Sequence, residues 1–447
     1  MKTALDRRQF LKIAGISAAA TGTLGTFAGC SRKSRDLPEG EMEYRISPTS
    51  NDKVSLLGYG CMRWPETKDE NGKKVVDQDM TNMLVDHAIA NGVNYFDAAP
   101  MYHNGECERV TGTALKTHPR NSYFIATKLS NFRDASYKAS MKMYRKSFED
   151  LQTDYIDYYL LHSAKDLAGF NKRFVDNGML DFLLEERKAG RIRNLGFSFH
   201  GKKKGFDDLL ALHEKYHWDF VQIQLNYIDW THASSKSTDA KYLLEELNRR
   251  GIPAVIMEPL LGGKLAKVPG HILDSFKERE PQSSAASWAF RFAGTHEGVL
   301  CVLSGMTYME HLQDNLKTYT GFRPLTADEL DFLEETADKI QEFPTINCRN
   351  CRYCLPCPYG IDIPAILLHY NKCVNEGYIC TDSASEHYKK ARRAYLVSYD
   401  RAVPEISQAD HCIGCGKCME ACPQDINIPM ELFRIGRYIA DLKRNKF

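Results

Sequence analysis

Between about residues 42 and 325, short apolar runs alternate with longer amphipathic runs, and this alternation constrains the fold more than any other feature. The β-like runs are Val54–Leu57, Tyr95–Phe96, Tyr123–Thr127, Tyr155–Leu161, Ile192–Phe197, Phe220–Ile223, Ala254–Met257 and Val299–Leu303. A helical run follows each of them, which is the pattern of parallel βα units. Eight such units predict an α/β fold, a (β/α)8 TIM barrel. A doubly wound open sheet would need a glycine-rich phosphate turn after its first strand, and the segment from Gly58 to Arg63 is a poor one.

Two four-cysteine runs lie in the last hundred residues. They are Cys348, Cys351, Cys354 and Cys357, followed by Pro358, and Cys412, Cys415, Cys418 and Cys422, followed by Pro423. In the second run the C-x2-C-x2-C-x3-C-P spacing is the one by which three thiolates bind one iron–sulfur cluster and the fourth binds its neighbour. The residues that follow the two runs align without a gap, which indicates a duplicated module. We therefore expect two [4Fe-4S] clusters in a small, mostly helical ferredoxin-like domain.

The assignment of cysteines to each cluster is a hypothesis. One cluster would take Cys348, Cys351 and Cys354 with Cys422, and the other would take Cys412, Cys415 and Cys418 with Cys357. The first run departs from the pattern, because only Leu355 and Pro356 precede its last cysteine. Two structural zinc sites are the alternative, since paired C-x2-C motifs also bind zinc. The protein would then be a colourless, zinc-stapled cytoplasmic reductase.

The first thirty residues have the pattern of a targeting signal. Arg7 and Arg8 precede Phe10-Leu11-Lys12 and an uncharged stretch rich in Ala, Gly and Thr, which resembles a Tat signal for proteins exported in the folded state. The segment that ends at Cys30 resembles a lipoprotein cleavage box. We expect an exported protein that is periplasmic, or anchored to the membrane only through a lipidated Cys30. A fortuitous Arg-Arg pair in a disordered arm is the alternative.

These patterns predict the domain order. A signal at 1–30 and a polar tether at 31–42 precede the barrel at 43–325, a linker helix at 326–345 and the iron–sulfur domain at 346–447. The chain carries 59 basic and 58 acidic residues among 447, a formal net charge of +1. This balance gives no electrostatic reason to expect nucleic-acid binding.

Four polar residues stand at or just after the carboxyl ends of predicted strands, where the active sites of such barrels are built. Asp97 ends the second strand, Tyr102 follows in the next loop, Lys128 ends the third strand and His162 ends the fourth. Each alone is weak support, because a lone tyrosine or histidine is usually a packing residue. Together they form a proton-transfer set, in which an ammonium group lowers the pKa of a tyrosine and a carboxylate fixes the lysine. His162 would orient the substrate oxygen.

In order and local context these four residues resemble the catalytic tetrad of the aldo/keto reductase superfamily. The resemblance runs from about Glu43 to Phe322 and, with the cysteine runs and twin arginines, is to the iron–sulfur-containing bacterial branch. It implies hydride transfer between a nicotinamide and a carbonyl carbon, with Tyr102 as general acid for reduction and base for oxidation. It also implies cofactor contacts from Ser198 and Gln222 to the carboxamide, and from Glu258, Leu260, Gly262, Ser304, Gly305, His311 and Asn315 to the remainder.

The implied cofactor contacts depart from the family pattern. Phe199 replaces the usual Asn, and Met257 stands where an aromatic ring commonly stacks on the nicotinamide. Gly305 and His311 occupy positions where many members carry Lys and Arg for the 2′-phosphate, which needs fixed positive charge. The expected cofactor is therefore NAD(P)(H) without strong selectivity.

The predicted function is an exported oxidoreductase whose barrel interconverts a carbonyl and an alcohol while the clusters transfer electrons. Its partners would be a small carbonyl or alcohol substrate and a redox partner protein. A nicotinamide carries two electrons as hydride and a cluster carries one, so coupling them would require a flavin or another two-electron splitter. The alternative is an electron-transfer protein whose barrel is a docking or ligand-binding scaffold without turnover.

Overall fold

A computed structural model describes residues 40–447 except 235–236, 342–344, 381 and 425. The predicted Tat signal and Cys30 lie outside the described residues. The strands are β1 (Tyr44–Ile46), β2 (Lys53–Ser55), β3 (Leu57–Gly60), β4 (Glu66–Lys68), β5 (Lys74–Val76), β6 (Tyr95–Asp97), β7 (Phe124–Leu129), β8 (Ile156–Ala164), β9 (Ile192–Phe199), β10 (Phe220–Gln224), β11 (Ala254–Met257) and β12 (Val299–Ser304).

Strands β3 and β6 to β12 form a closed parallel barrel. They neighbour one another in chain order, and β12 pairs back with β3 through Val302 and Leu57. Apolar and aromatic side chains such as Tyr95, Tyr158 and Phe220 fill its interior, as expected of a barrel whose strands are covered on both faces. The predicted (β/α)8 fold is confirmed.

Helices cover the outside of the barrel. Those following the eight barrel strands are Gln78–Ala90, Cys107–Leu115, Tyr137–Leu151, Met179–Lys188, Lys203–Ala211, Ala240–Arg249, Ala285–Thr295 and Met309–Tyr319, with further helices at Leu167–Phe170, His213–Tyr216, Gly270–Arg279 and Ala327–Gln341. Several begin at capping residues: Asp77 accepts a hydrogen bond from the Met80 amide, and Ser136 from the Ala139 amide.

The prediction of the first barrel strand at Val54–Leu57 is wrong by half a strand. The barrel strand is β3 at Leu57–Gly60, whereas β2 at Lys53–Ser55 pairs with β1 in an antiparallel hairpin. Neither Gly nor Pro separates Val54 from Leu57, and Ser55 alone interrupts the apolar residues, so two strands that bend at Leu56 read as one run. The hairpin is fixed to the barrel by Arg45, which donates to the Val299 carbonyl at 2.6 Å.

The C-terminal region is helical, with helices Ile363–Asn375, Tyr388–Ala402, Lys417–Glu420 and Ile428–Arg444. The two repeated segments play the same part in it. Asp362 caps the first of these helices and Asn427 the last, each followed by Ile-Pro in the first turn. The duplication seen in the sequence is therefore a repeated helix start after each cysteine run. Within the described residues no helix is long and apolar enough to cross a membrane.

Candidate active site

The four predicted catalytic residues meet at the carboxyl end of the barrel. Asp97 ends β6, Lys128 lies in β7, His162 lies in β8, and Tyr102 begins the turn after β6. The Lys128 ammonium donates to Asp97 Oδ1 at 2.5 Å and to the Ala98 carbonyl at 2.9 Å. It also lies 5.4 Å from the centre of the Tyr102 ring, which is 6.0 Å from the His162 ring and perpendicular to it. The arrangement is that of a proton-transfer site.

The protonation states of the site differ from the expectation in one respect. Burial, with a contribution from the nearby phenol of Tyr353, raises the pKa of Tyr102 well above its ordinary value. The expected lowering by Lys128 is therefore outweighed by desolvation of the phenolate. Burial, with the charge of Lys128, lowers the pKa of His162 well below its ordinary value. Tyr102 holds its proton and His162 is neutral, a pair suited to donating protons to an oxygen atom.

Two residues are predicted to hold the carboxamide of the nicotinamide. In the structure both form hydrogen bonds with other residues of the protein. Gln222 donates to Asp97 Oδ2 at 3.1 Å, and Ser198 Oγ accepts from the Ser163 amide at 2.7 Å. Farther around the barrel, Asn315 donates to Ser304 Oγ at 2.8 Å. The exposed His311 lies beside Tyr308, with 5.3 Å between ring centres.

The first cysteine loop, residues 348–354, lies across the barrel mouth, a position that the sequence did not predict. The Arg349 side chain is fully buried, with its guanidinium 2.8 Å from Asp229 and 3.2 Å from Glu258, two carboxylates of the barrel. Arg63 of the barrel donates to the carbonyl of Arg349 at 3.4 Å. In the sequence a charged residue between two cysteines, such as Arg349, is expected to be exposed. The one sequence feature that could have indicated its burial is the pair of acidic residues after β10 and β11.

The first cysteine loop packs against the glycine that the resemblance assigns to the dinucleotide. A Cβ atom at Gly262 would lie 2.5 Å from both Cα and O of Arg349. The backbone at Gly262 is therefore packed directly against the backbone at Arg349. At Gly305 the corresponding atom would lie 2.9 Å from Arg63 Cδ. The residues present do not fit a nicotinamide dinucleotide in this groove.

The same loop reaches the four predicted catalytic residues through Tyr353. Its hydroxyl oxygen lies 3.3 Å from His162 Nε2, and the phenol is close enough to Tyr102 to affect its pKa. Its ring faces Phe132, with 6.4 Å between ring centres. A polar group between the Tyr102 hydroxyl and His162 stands where a carbonyl oxygen would accept from both.

A cavity at the mouth lies beside this loop. The cavity, of about 400 Å³, is bordered by Arg63, Trp64, His103, Tyr308 and Arg352, among others. None of the four catalytic residues lines it.

The eight cysteines of the two runs fall into two groups of four. Burial raises the pKa values of Cys348, Cys351 and Cys354, and the nearby thiol of Cys422 raises each of these pKa values further. Burial raises the pKa of Cys418 to about 11, and the nearby thiols of Cys412, Cys415 and Cys357 contribute to this increase. The grouping is the same as in the sequence hypothesis, and the cross-shared ligation of two clusters stays a prediction. Four thiolates are the donor set of a [4Fe-4S] cluster, so both groups fit one. No three His, Cys, Asp or Glu side chains in the described part of the chain form a ready-made site for a single metal ion.

Glu108 is a buried carboxyl next to the site that titrates in the neutral range. It accepts from Thr127 Oγ1 at 2.5 Å, and burial raises its pKa from 4.5 to about 7. The folded state therefore binds this proton more tightly than the unfolded state does. Stability falls as pH rises from about 4.5 to about 7, by about 3 kcal/mol in all.

We expect Glu108→Gln to remove this loss. The amide keeps an acceptor for Thr127 but no proton to release, so the variant should unfold at a higher temperature than the wild type at pH 8 and gain little at pH 4.5. Thermal unfolding followed by circular dichroism at both pH values measures the difference. The control is Glu106→Gln, an exposed carboxyl in the same turn. A gain in stability that is independent of pH would contradict the assignment.

Known proteins resemble this chain in both parts. Residues 56–338 match the sequence model of the Aldo/keto reductase family, and residues 408–426 match that of the 4Fe-4S binding domain. The chain is 24% identical over 323 residues to an uncharacterized oxidoreductase, YqkF, of Bacillus subtilis, covering 66% of this chain and 96% of that one. It is 23% identical over 315 residues to L-galactose dehydrogenase of Arabidopsis thaliana, covering 65% and 92%.

Two solved structures show the same barrel. The holo form of aldo-keto reductase AKR11C1 from Bacillus halodurans has a TM-score of 0.53 at 23% identity, covering 66% of this chain and 96% of that one. An aldo-keto reductase from Klebsiella pneumoniae in complex with NADPH has a TM-score of 0.53 at 19% identity, covering 67% and 95%. At these identities the likeness concerns the fold.

Proposed function

The chain belongs to the aldo/keto reductase family, and from that premise we propose that its barrel interconverts a carbonyl and an alcohol while two [4Fe-4S] clusters in the C-terminal region carry electrons. The observation that carries the proposal is the buried Lys128–Asp97 ion pair beside Tyr102 and His162. A buried ion pair is costly unless its geometry is good, and this one lies where the active sites of such barrels are found.

Each residue of the tetrad has a separate task in carbonyl reduction. Tyr102 donates a proton to the oxygen as the carbon is reduced, and Lys128, held by Asp97, stabilises the charge left on the phenol oxygen. Ser130 Oγ lies 2.6 Å from His162 Nδ1. When Ser130 donates to that nitrogen, the proton of the neutral imidazole is on Nε2, which then donates to the substrate oxygen. In the oxidation direction the same protons move back.

Electron transfer would be carried out by the clusters that the two groups of cysteines hold. Cys348, Cys351, Cys354 and Cys422 would hold one cluster and Cys412, Cys415, Cys418 and Cys357 the other, and each cluster supplies one-electron redox chemistry. A nicotinamide cofactor remains a prediction of the family resemblance. The residues at Gly262 do not fit it as they stand, so no task above is assigned to it.

The shared ligands lead to a prediction for Cys357. Its replacement by Ala should remove about half of the iron, and it should remove the same half as Cys418→Ala does, because both thiols belong to one cluster. A Cys357→Ala/Cys418→Ala double variant then keeps the iron of Cys418→Ala alone, whereas Cys357→Ala/Cys354→Ala loses nearly all of it. Iron and sulfide analysis of anaerobically purified protein measures this. Cys380→Ala, a cysteine outside both groups, is the control.

The experiment that tests the proposed function starts from protein reduced with dithionite and freed of excess reductant. Aldehydes, ketones and quinones are added in turn, and reoxidation of the clusters is followed in the visible spectrum while the product is identified. The expected result is reoxidation with formation of an alcohol or hydroquinone. If the clusters stay reduced with every class of carbonyl, and no product forms, the proposal is wrong.

A second candidate is favoured by the position of Tyr353. If its phenol permanently occupies the place between Tyr102 and His162, the barrel is a scaffold and the protein transfers electrons without turning over a carbonyl. The two candidates differ in the effect of replacing Tyr102, because only an enzyme needs its proton.

We also propose that the protein is exported in the folded state, is anchored to the membrane only through Cys30, and exchanges electrons with a partner protein. The twin arginines and the segment that ends at Cys30 support this. Replacing Arg7 and Arg8 with Lys should keep the protein in the cytoplasm, which cell fractionation measures. Cys30→Ser, which leaves the arginines intact, should still be exported but be released from the membrane fraction. Unchanged export of the twin-lysine variant would contradict the proposal.

A further inference from the structure

We propose that the first cysteine loop takes the place of the nicotinamide dinucleotide in this barrel, so that the tetrad receives electrons from the clusters and acts on quinone-type carbonyls. The inference rests on the proposed function and deepens it. Its basis is the contact between residues 348–353 and the groove that the family resemblance assigns to the cofactor.

The charges of the groove suit a cation and oppose a pyrophosphate. Asp229 follows β10 and Glu258 follows β11 directly, and both carboxylates face the position of Arg349. A pyrophosphate laid against Gly262 would meet these two negative groups in a poorly solvated place, where like-charge repulsion is strong. The guanidinium of Arg349 pairs with both carboxylates through charge-assisted hydrogen bonds, and Arg63 and Lys264 add positive charge near them. The groove is therefore complementary to the loop and not to a dinucleotide.

The backbone on both sides of this contact is fixed in uncommon conformations. Glu258, Asn350 and Arg352 all have positive φ, at 55°, 52° and 63°. Non-glycine residues rarely adopt such values unless the surrounding structure imposes them, and they cluster at functional sites. Here they let Glu258 face Arg349 and let the loop turn twice between Cys348 and Cys354. The loop is shaped for this place.

The two anchors of the loop differ in strength. Arg349 is wholly shielded from solvent, holds two carboxylates and lies backbone to backbone against Gly262. Tyr353 forms hydrogen bonds with two neutral groups, the Tyr102 hydroxyl and, at a long 3.3 Å, His162. A substrate oxygen can replace a phenol held this weakly, whereas displacing Arg349 would leave two buried carboxylates unpaired. The loop backbone therefore remains bound in the groove, and the Tyr353 side chain moves aside when a substrate binds.

This arrangement selects the substrate class. Tyr353 lies between two thiols of the first group, Cys351 and Cys354, so the donor side of the site consists of one-electron carriers. A quinone becomes a hydroquinone by taking up two electrons and two protons, all on its oxygens, and no hydride is required. The two groups of four cysteines would each hold a cluster able to supply one electron, and an electron-carrier protein would supply those two electrons in turn. Tyr102 gives a proton to one oxygen and is reprotonated by water, and water protonates the other oxygen.

Anaerobic calorimetry on the cluster-containing full-length protein tests the inference. NADPH and NADH are titrated separately to about 1 mM, the weak end of specific binding, and we expect no saturable heat and no bleaching of the clusters. Hydrogen exchange of residues 258–263 and 348–354 should be the same with and without NADPH. Micromolar binding, or protection of these residues by NADPH, overturns the inference.

A second measurement separates this inference from the proposed function. Dithionite-reduced protein should lose two electrons per quinone added and react much more slowly with a simple ketone. If NADPH binds while the reduced protein still turns over carbonyls, only this inference fails. If only unconjugated carbonyls react, the substrate class is wrong. If no carbonyl of any class is reduced, the proposed function fails, and the inference that rests on it fails too.

Discussion

Tyr102→Phe should lower the rate of carbonyl reduction by about 100- to 10,000-fold, the usual contribution of a positioned general acid. The substitution removes one oxygen atom, and with it the phenolic proton that lies near the Lys128 ammonium. Because burial raises the pKa of Tyr102, its hydroxyl stays protonated through the neutral range and beyond. The wild-type rate should therefore be nearly constant between pH 6 and pH 8 as far as this group is concerned. The rate of single-turnover carbonyl reduction by the dithionite-reduced protein measures the loss.

The control for this variant checks that the iron–sulfur clusters are unchanged. Iron content, sulfide content and the visible spectrum of Tyr102→Phe should equal those of the wild type, because the phenol is not a cluster ligand. Tyr137→Phe removes a hydroxyl from an exposed residue outside the site and should change neither rate nor clusters. If Tyr102→Phe is as active as Tyr137→Phe, the barrel is a scaffold and the second candidate function is the better one.

What the sequence could predict was local. Parallel βα units place the ends of successive strands at one mouth, so Asp97, Lys128 and His162 could be placed together from their strand positions alone. The cross-shared cysteine sets are a hypothesis from the spacing within each run, and they stay a prediction. The first strand was misplaced because neither Gly nor Pro stands between Val54 and Leu57, and periodicity cannot divide so short a run.

What the sequence could not predict was the contact between the two parts of the chain. Arg349 lies 120 residues from Asp229 and 91 from Glu258, and none of the three belongs to a motif that pairs them. Charged residues in loops are exposed by default, so each reads as part of a solvated surface. Only the fold shows that three such charges share one buried place. The same contact explains why the family resemblance led to a dinucleotide groove that the structure fills with protein.

Arg349→Met should destabilise the protein by about 3 to 5 kcal/mol, the usual cost of removing one partner of a buried ion pair. The side chain has no exposed surface, and its removal leaves Asp229 and Glu258 facing each other in the protein interior. Methionine fills part of the volume, so the loss comes from the charge and not from a cavity. Urea unfolding of the cluster-containing protein, followed by near-ultraviolet circular dichroism, should show an earlier transition, accompanied by easier loss of iron.

Two further variants show whether the charge is the cause. Adding Asp229→Asn and Glu258→Gln to Arg349→Met removes the unpaired carboxylates and should restore most of the lost stability, because replacing a whole buried ion network is often neutral. Arg352→Met, which loses only a half-exposed contact to Glu66 at 3.8 Å, should cost less than about 1 kcal/mol. If Arg349→Met unfolds no earlier than Arg352→Met, the ion pairs do not hold the first cysteine loop. The groove at Gly262 would then be open to a dinucleotide whenever the loop lifts, and the electrons could come from NADPH after all.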